Sequence, residues 1–242
     1  MAVSSIVVLI AGDPVPQARA TRGGYFELIR GAAPGFDTAS WSAHDLRELD
    51  VIPGLTEASA VIVSGSASSV TEGLPWIERA AERLRELVAR EVPLLGICFG
   101  HQLLGHALGG AVAPNPRGRE MGTVEQTAWR SDPVLGEAGK QRVNTTHVDS
   151  IVRLPRGAEI LACTALEPHS AVRFGQHALG VQFHPEIDGP VMRLYLEARR
   201  STLLAEGFDF EAAQRTADDA PHGAAVIERF LRLALGRSGT GS

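Results

Sequence analysis

Leu94-Leu95-Gly96-Ile97-Cys98-Phe99-Gly100-His101-Gln102-Leu103-Leu104 reads as a buried strand that turns abruptly into a helix. The apolar run stops at a Gly-x-Cys-x-Gly turn, and Leu103, Leu104, Ala107 and Leu108 then recur at helical spacing. This is the layout of a nucleophile elbow, with a thiol in the place of the attacking group. Gly96 and Gly100 leave the room that so tight a turn needs. The position also activates the thiol. A helix N-terminus carries partial positive charge, which favours thiolate. Neighbouring backbone N–H groups, that of Phe99 among them, can hold an oxyanion.

The surroundings of the elbow read as an α/β protein. Ile6–Ala11 and Ala60–Ser64 are continuous apolar runs rich in β-branched residues, as expected of central parallel strands. Phe36–Ala43 is a candidate strand between them, Tyr25–Ile29 a short helix, and Asp13–Arg22 a loop. Pro75 opens a helix on which Trp76, Ile77, Ala80, Ala81, Leu84, Leu87 and Val88 form one apolar stripe. Gly109-Gly110 stops the helix after the elbow. Beyond it, Glu120–Trp129, Gln141–Thr145, Glu159–Ala165, Ser170–Gly175 and Ala178–Phe183 all read as strands with few helices between them. Part of the sheet is therefore antiparallel. A helix opens at Pro190, Glu206–Gly223 is polar with weak helical signal, and a last amphipathic helix covers Ala224–Leu235. The expected fold is an open, mostly parallel mixed sheet flanked by helices. It forms a single domain over 1–236, with a flexible tail at 237–242.

Composition narrows the class of protein. Hydrophobic residues make up 44% of the 242, enough for a core of this size. The net charge is -5 and the basic residues are scattered, so nothing predicts nucleic-acid binding. No apolar run approaches the ~20 residues of a membrane-spanning helix, and Met1-Ala2-Val3-Ser4-Ser5 lacks the basic start of a signal peptide. Two cysteines make no disulfide framework, so a reduced, cytoplasmic protein is expected. The His/Cys/Asp/Glu spacing shows no metal-ligand pattern and no cofactor is called for.

A cysteine nucleophile needs a base, and the base needs an orienting group. Gly180-Val181-Gln182-Phe183-His184-Pro185-Glu186 supplies both. A strand-like run ends at His184, where Pro185 breaks it, and strand ends are where ligands and catalytic groups gather in open α/β sheets. Glu186, two residues on, can reach the imidazole edge that faces away from the thiol. Cys163 lies in an apolar run without a turn and reads as structural. His101 receives no proton-transfer role, and His44, His106, His169, His177 and His222 lack any motif context.

The elbow Gly96–Gln102 together with Gln182–Glu186 resembles the class I, triad-type glutamine amidotransferases. The likeness is nearest to the glutaminase domain of GMP synthase and its stand-alone relatives, and it runs from about Ile6 to Leu204. It implies a flavodoxin-like class I amidotransferase fold and a Cys98–His184–Glu186 triad that cleaves the glutamine side-chain amide through a glutamyl thioester. Carried over by position, Gly65 and Phe99 give the oxyanion N–H groups, and Gln102 contacts the amino-acid end of the substrate. The His147-Val148-Asp149 segment is similar to the family's loop near the glutamine α-carboxylate, although a structural role for His147 stays open. Many members read Ser-Gly-Gly where this chain has Ser64-Gly65-Ser66. No ATP-dependent synthetase domain and no Gly-x-x-x-x-Gly-Lys-[Ser/Thr] loop are present, so the ammonia is expected to go to a separate acceptor enzyme. Two other readings stay open: a γ-glutamyl peptidase or hydrolase with the same triad, and a non-catalytic or redox-sensing thiol protein. A homodimer is the base-rate expectation for oligomeric state.

Overall fold

The computed structural model describes residues 4–48 and 52–237. Five strands form a parallel half-sheet: β1 (Ser5–Ile10), β2 (Ser40–Asp45), β3 (Ala60–Val63), β4 (Leu94–Ile97) and β11 (Ala178–Val181). Four more continue it in antiparallel fashion: β6 (Glu120–Ala128), β7 (Gly139–His147), β9 (Glu159–Thr164) and β10 (Ala171–Arg173). The order is β2-β1-β3-β4-β11-β10-β9-β6-β7. The mixed α/β sheet expected from the sequence is thus present, with its parallel and antiparallel portions meeting at β11.

Both faces of the parallel half are covered, which is why its strands are apolar throughout instead of alternating. Ile6, Val8, Ile62 and Ile97 point to one side, where they meet α2 (Tyr25–Gly31), α5 (Gly189–Ala198) and α8 (Pro221–Arg237). Val7, Leu9, Val61 and Val63 point to the other, against α3 (Pro75–Ala89) and α4 (Phe99–Ala107). Complete burial of each such Ile or Leu is worth ~1.5–3 kcal/mol. On α3, Ile77, Ala80, Ala81, Leu84 and Leu87 are buried as the stripe requires, while Trp76 and Val88 lie half-buried at its margins.

Three local readings need correction, and one pair of strands comes in addition. Residues 13–22 are not all loop: Pro16 occupies the first position of α1 (Pro16–Arg22), the helical site that a proline's missing N–H suits. The strand expected at Phe36–Ala43 begins at Ser40, because Pro34–Phe36 close a single 3-10 turn. Ala111–Pro114 and Asp149–Arg153 form a separate antiparallel pair, β5 and β8. The polar stretch Glu206–Gly223 holds α7 (Phe210–Thr216), capped by the Asp209 carboxylate on the Ala212 N–H, and a short α6 (Arg200–Ala205) precedes it. Of the expected tail, Arg237 ends α8 and 238–242 lie outside the described residues.

Candidate active site

Strand pairing alone brings the two distant motifs together. β4 and β11 are parallel neighbours with Ile97 opposite Val181, and the Cys98 N–H donates to the Val181 carbonyl at 2.8 Å. Cys98 and His184 therefore emerge from the same edge of the sheet. The Gly65 segment leaves that edge from β3, on the other side of β4.

Cys98 has φ +50° and ψ -100°, a left-handed conformation costly for any residue with a side chain and held here by its surroundings. The two elbow glycines make it attainable. A Cβ at Gly96 would lie 2.5 Å from the Gly100 carbonyl oxygen, and one at Gly100 would lie 2.6 Å from that of Val63. Phe99 opens α4, so its N–H is one of the helix's unpaired first donors.

His184 is fixed on every side. Its backbone N–H donates to the Asn144 carbonyl at 2.7 Å, and its Nδ1 lies 2.7 Å from Glu186 Oε1. Tyr25 stacks on the imidazole at a centroid distance of 6.3 Å, and Tyr195 tilts against it at 6.5 Å. The two tyrosine hydroxyls hydrogen-bond each other at 3.0 Å. Burial by itself would discharge His184, but the Glu186 carboxylate and Cys98 raise its pKa to about 10. Burial likewise pushes the Cys98 thiol up, yet the charge and hydrogen bond of His184, with help from His147, outweigh it and bring the thiol below its ordinary value. Both shifts favour the charged forms, a thiolate beside an imidazolium.

Gly65 packs against the imidazole edge, where a Cβ would come within 2.8 Å of His184 Cε1. Ser64 sets its peptide: the hydroxyl accepts from the Ala11 N–H at 3.0 Å and donates to the Gly65 carbonyl at 2.9 Å. Ser66 closes the following turn by accepting from the Ser68 N–H at 3.1 Å. Gln102 reaches the cleft, but its amide NH2 is engaged, donating to the Asp149 carbonyl at 2.9 Å and to Gln182 Oε1 at 3.1 Å. The Gln182 amide in turn donates to Cys98 Sγ at 3.4 Å.

His147 ends β7 and Asp149 opens β8, leaving Val148 alone between the strands. Both His147 ring nitrogens are occupied. Nδ1 donates to the Asp149 carbonyl at 2.9 Å with Glu167 Oε2 4.0 Å away, and Nε2 lies 3.3 Å from Glu120 Oε2. Burial opposes its charge, but Glu120, Cys98 and Glu167 raise its pKa overall. His147 thus holds the turn at the mouth of the cleft in place. His101 is buried against Phe174, and its pKa falls to about 3, chiefly through burial, which suits the absence of any proton-transfer role. Cys163 lies half-buried on β9 and lines a different depression. Among the described residues no cluster of His, Cys, Asp and Glu could hold a metal ion.

The thiol opens into a cleft of about 270 Å³ whose walls include Ser69, Gln102, Arg119, Asp149 and Arg199. That is small beside the ~300–1,000 Å³ typical of drug-sized ligands and suits an amino acid or a short derivative of one. Tyr25, Tyr195, Arg119, Arg199 and Asn144 are the site residues that sequence reasoning missed. None belongs to the elbow or to the His-Pro-Glu run: Tyr25 and Tyr195 come from α2 and α5, Asn144 from β7, Arg119 from the segment just before β6, and Arg199 from the turn that ends α5.

Comparisons with known proteins bear on family and fold. The family described as glutamine amidotransferase class-I matches residues 36–197. A glutamine amidotransferase-like protein of Schizosaccharomyces pombe is 25% identical over 246 residues, covering 93% of this chain and 98% of that protein. The GMP synthase of Thermomicrobium roseum is 36% identical over 189 residues, which are 76% of this chain but 32% of that enzyme. The chain thus spans about a third of that relative. The fold recurs in the crystal structure of a glutamine amidotransferase from Thermotoga maritima (TM-score 0.75, 22% identity, all of both chains). It recurs also in one from Methylobacillus flagellatus (TM-score 0.77, 18% identity, 96% of this chain and 95% of that one).

Proposed function

The chain belongs to the class I glutamine amidotransferase family, and from that premise we propose that it hydrolyses a γ-glutamyl amide through a Cys98–His184–Glu186 triad. The observation that carries the reading is the buried, ion-paired contact of His184 with Glu186 at 2.7 Å beside a thiol of lowered pKa at a strained elbow. The Cys98 thiolate attacks the amide carbonyl carbon. The N–H groups of Phe99 and Gly65 face the oxyanion that forms. His184 gives its proton to the nitrogen, the C–N bond breaks, and ammonia or an amine leaves a γ-glutamyl thioester on Cys98. The neutral imidazole then takes a proton from water as the hydroxide attacks the thioester. Glutamate departs, and the thiolate–imidazolium pair is restored. Glu186 keeps Nδ1 protonated and the ring oriented throughout.

With glutamine as substrate the product is ammonia, destined for a separate acceptor. In Saccharolobus solfataricus a glutamine-hydrolysing GMP synthase has a separate subunit that is 35% identical to this chain over 150 residues, 58% of this chain and 77% of that protein. By analogy, the partner proposed here is a synthetase polypeptide. Among the described residues no helix is long and apolar enough to cross a membrane. Both cysteines are free, which fits a reducing compartment, and the cytoplasm is the proposed location.

The test is direct. Purified protein is incubated with glutamine and with γ-glutamyl amides while ammonia or amine is measured. Intact-mass spectrometry after acid quench looks for a γ-glutamyl adduct on Cys98. Turnover and an adduct that are both lost in Cys98→Ala are expected. No turnover and no adduct on any of these compounds rejects the proposal.

A further inference from the structure

Among the described residues, one cation in the cleft has no ion-pair partner. The Arg199 guanidinium projects from the C-terminal end of α5 into the space that holds Cys98. Its Nη1 is buried yet makes no hydrogen bond, and the group rests on the Tyr195 ring, 5.3 Å from the centroid. The second cleft cation is already satisfied: Arg119 holds the Glu206 carboxylate through Nε and Nη2 at 2.8 and 3.0 Å. An unpaired buried donor on a fixed charge is costly unless a ligand completes it.

Its place in the site indicates which end of a substrate it meets. Tyr195, under the guanidinium, also packs on His184. Arg199 therefore stands on the flank of the proton donor. The scissile nitrogen must come within hydrogen-bond reach of that donor, so whatever the nitrogen carries lies on the same flank. Another part of the cleft wall is acidic. The Asp149 carboxylate accepts from the Ser69 hydroxyl, and Glu72 Oε1 accepts from the Ser69 N–H at 2.9 Å. That side suits the α-ammonium of a γ-glutamyl group. Free ammonia has nothing to offer Arg199, whereas an amino acid as the leaving amine brings a carboxylate.

We propose that Arg199 receives the carboxylate of the amine displaced from the γ-glutamyl group, which makes the substrate class γ-glutamyl amides of amino acids, γ-glutamyl dipeptides among them. The inference rests on the thiol hydrolysis proposed above and names its leaving group. No new step is required. The C–N bond breaks as before, the nitrogen takes the His184 proton, and the amine departs as a free amino acid.

The experiment compares γ-glutamylglycine with γ-glutamylglycinamide, which differ only in the carboxylate, in the full chain and in Arg199→Met and Arg199→Lys. The ratio of their kcat/KM values is the readout, with glutamine as a third substrate and thermal melting as the check on folding. A carboxylate–guanidinium contact predicts that the native protein prefers γ-glutamylglycine. The ratio then falls about 10- to 100-fold in Arg199→Met and recovers in part in Arg199→Lys. A ratio unmoved by Arg199→Met overturns the inference, including the case in which both substrates slow equally, which would assign Arg199 to the glutamyl end. Hydrolysis of glutamine without hydrolysis of γ-glutamylglycine overturns it too, while leaving the triad chemistry standing. Failure on all three substrates removes the triad reading itself.

Discussion

Replacing Glu186 by Gln tests whether the thiolate depends on a carboxylate carried by the loop after the neighbouring strand. The perturbation keeps the side-chain shape and removes one charge. The contact it alters is short, 2.7 Å, and both side chains are almost wholly buried, at 2% and 0% exposure. A hydrogen bond to a charged group in such a place contributes ~1.5–3 kcal/mol net. At about 1.4 kcal/mol per decade, that is about 10- to 150-fold in rate. The effect also reaches the nucleophile. Without Glu186, burial is free to discharge His184 and the thiol loses its counter-charge. A thiol returned to its ordinary pKa of about 8.5 is only ~3% thiolate at neutral pH. The two losses share one electrostatic origin and do not multiply in full, so a fall of about 10²- to 10³-fold in kcat/KM is expected. The assay is product release at pH 7 on the most readily hydrolysed γ-glutamyl substrate. It is paired with the rate of iodoacetamide alkylation of Cys98 from pH 5 to pH 10, which reads thiolate without needing turnover. A urea melt confirms that the fold survives. If kcat/KM stays within threefold of the native value and the alkylation profile is unmoved, Glu186 is not the orienting group and the charge argument is wrong.

Two further outcomes follow from the same geometry. The pH profile of kcat/KM in the native protein should be broad. It rises with pH through an acid limb below the ordinary thiol pKa, because thiolate forms early, and falls only toward about 10, where the raised His184 loses the proton it must donate. Both limbs belong to the coupled pair, and an alkaline limb near 6.5 refutes the pairing. Gly100→Ala should destabilise the fold by ~1–3 kcal/mol in urea unfolding and remove activity. Its Cβ would sit 2.6 Å from the Val63 carbonyl oxygen and 2.8 Å from Val63 Cβ, with no flexible atom to yield; a change under ~0.5 kcal/mol, within the range of ordinary surface substitutions, contradicts the close approach.

Elements whose pattern is set by burial were legible in the chain. β1, β3, β4 and α3 follow from unbroken apolar runs or one apolar stripe, and the elbow follows from two glycines that lie too close to backbone atoms of α4 and β3 to carry any side chain. Elements stabilised by the tertiary setting were not. β2 is half-exposed along its length, and its sequence Ser-Trp-Ser-Ala-His-Asp carries little strand signal apart from its place beside β1. β5 and β8 are short and far apart in sequence, yet Ala111 pairs with Arg153 at one end and Pro114 with Asp149 at the other, a link that no local period encodes. The site divides in the same way. Cys98, His184 and Glu186 announce themselves because their chemistry demands particular neighbours in sequence. Arg199 does not, since a lone arginine at a helix end reads as solvated until the cleft closes over it.

Asn144 shows why the motifs are necessary but insufficient. His184-Pro185-Glu186 leaves β11 as a loop, and a loop by itself cannot hold an imidazole to a fraction of an ångström against a thiol. The loop is fixed from a strand at the far edge of the sheet. The backbone carbonyl of Asn144, on β7, accepts from the His184 N–H at 2.7 Å, and its side-chain amide donates to the Ile187 carbonyl at 2.7 Å and to that of Asp218 at 3.0 Å. Its side-chain oxygen accepts from the Thr123 hydroxyl at 2.6 Å on the neighbouring β6. Downstream, Asp188 caps α5 by accepting from the Val191 N–H at 2.8 Å, and Gly189 N–H donates to Asp219 at 3.0 Å. Segments distant in sequence therefore converge on the short loop that carries the imidazole. The parallel half of the sheet carries Cys98 and the start of the His184 loop, and the antiparallel half holds that loop in place. That division explains why so small a cleft rests on a nine-stranded sheet.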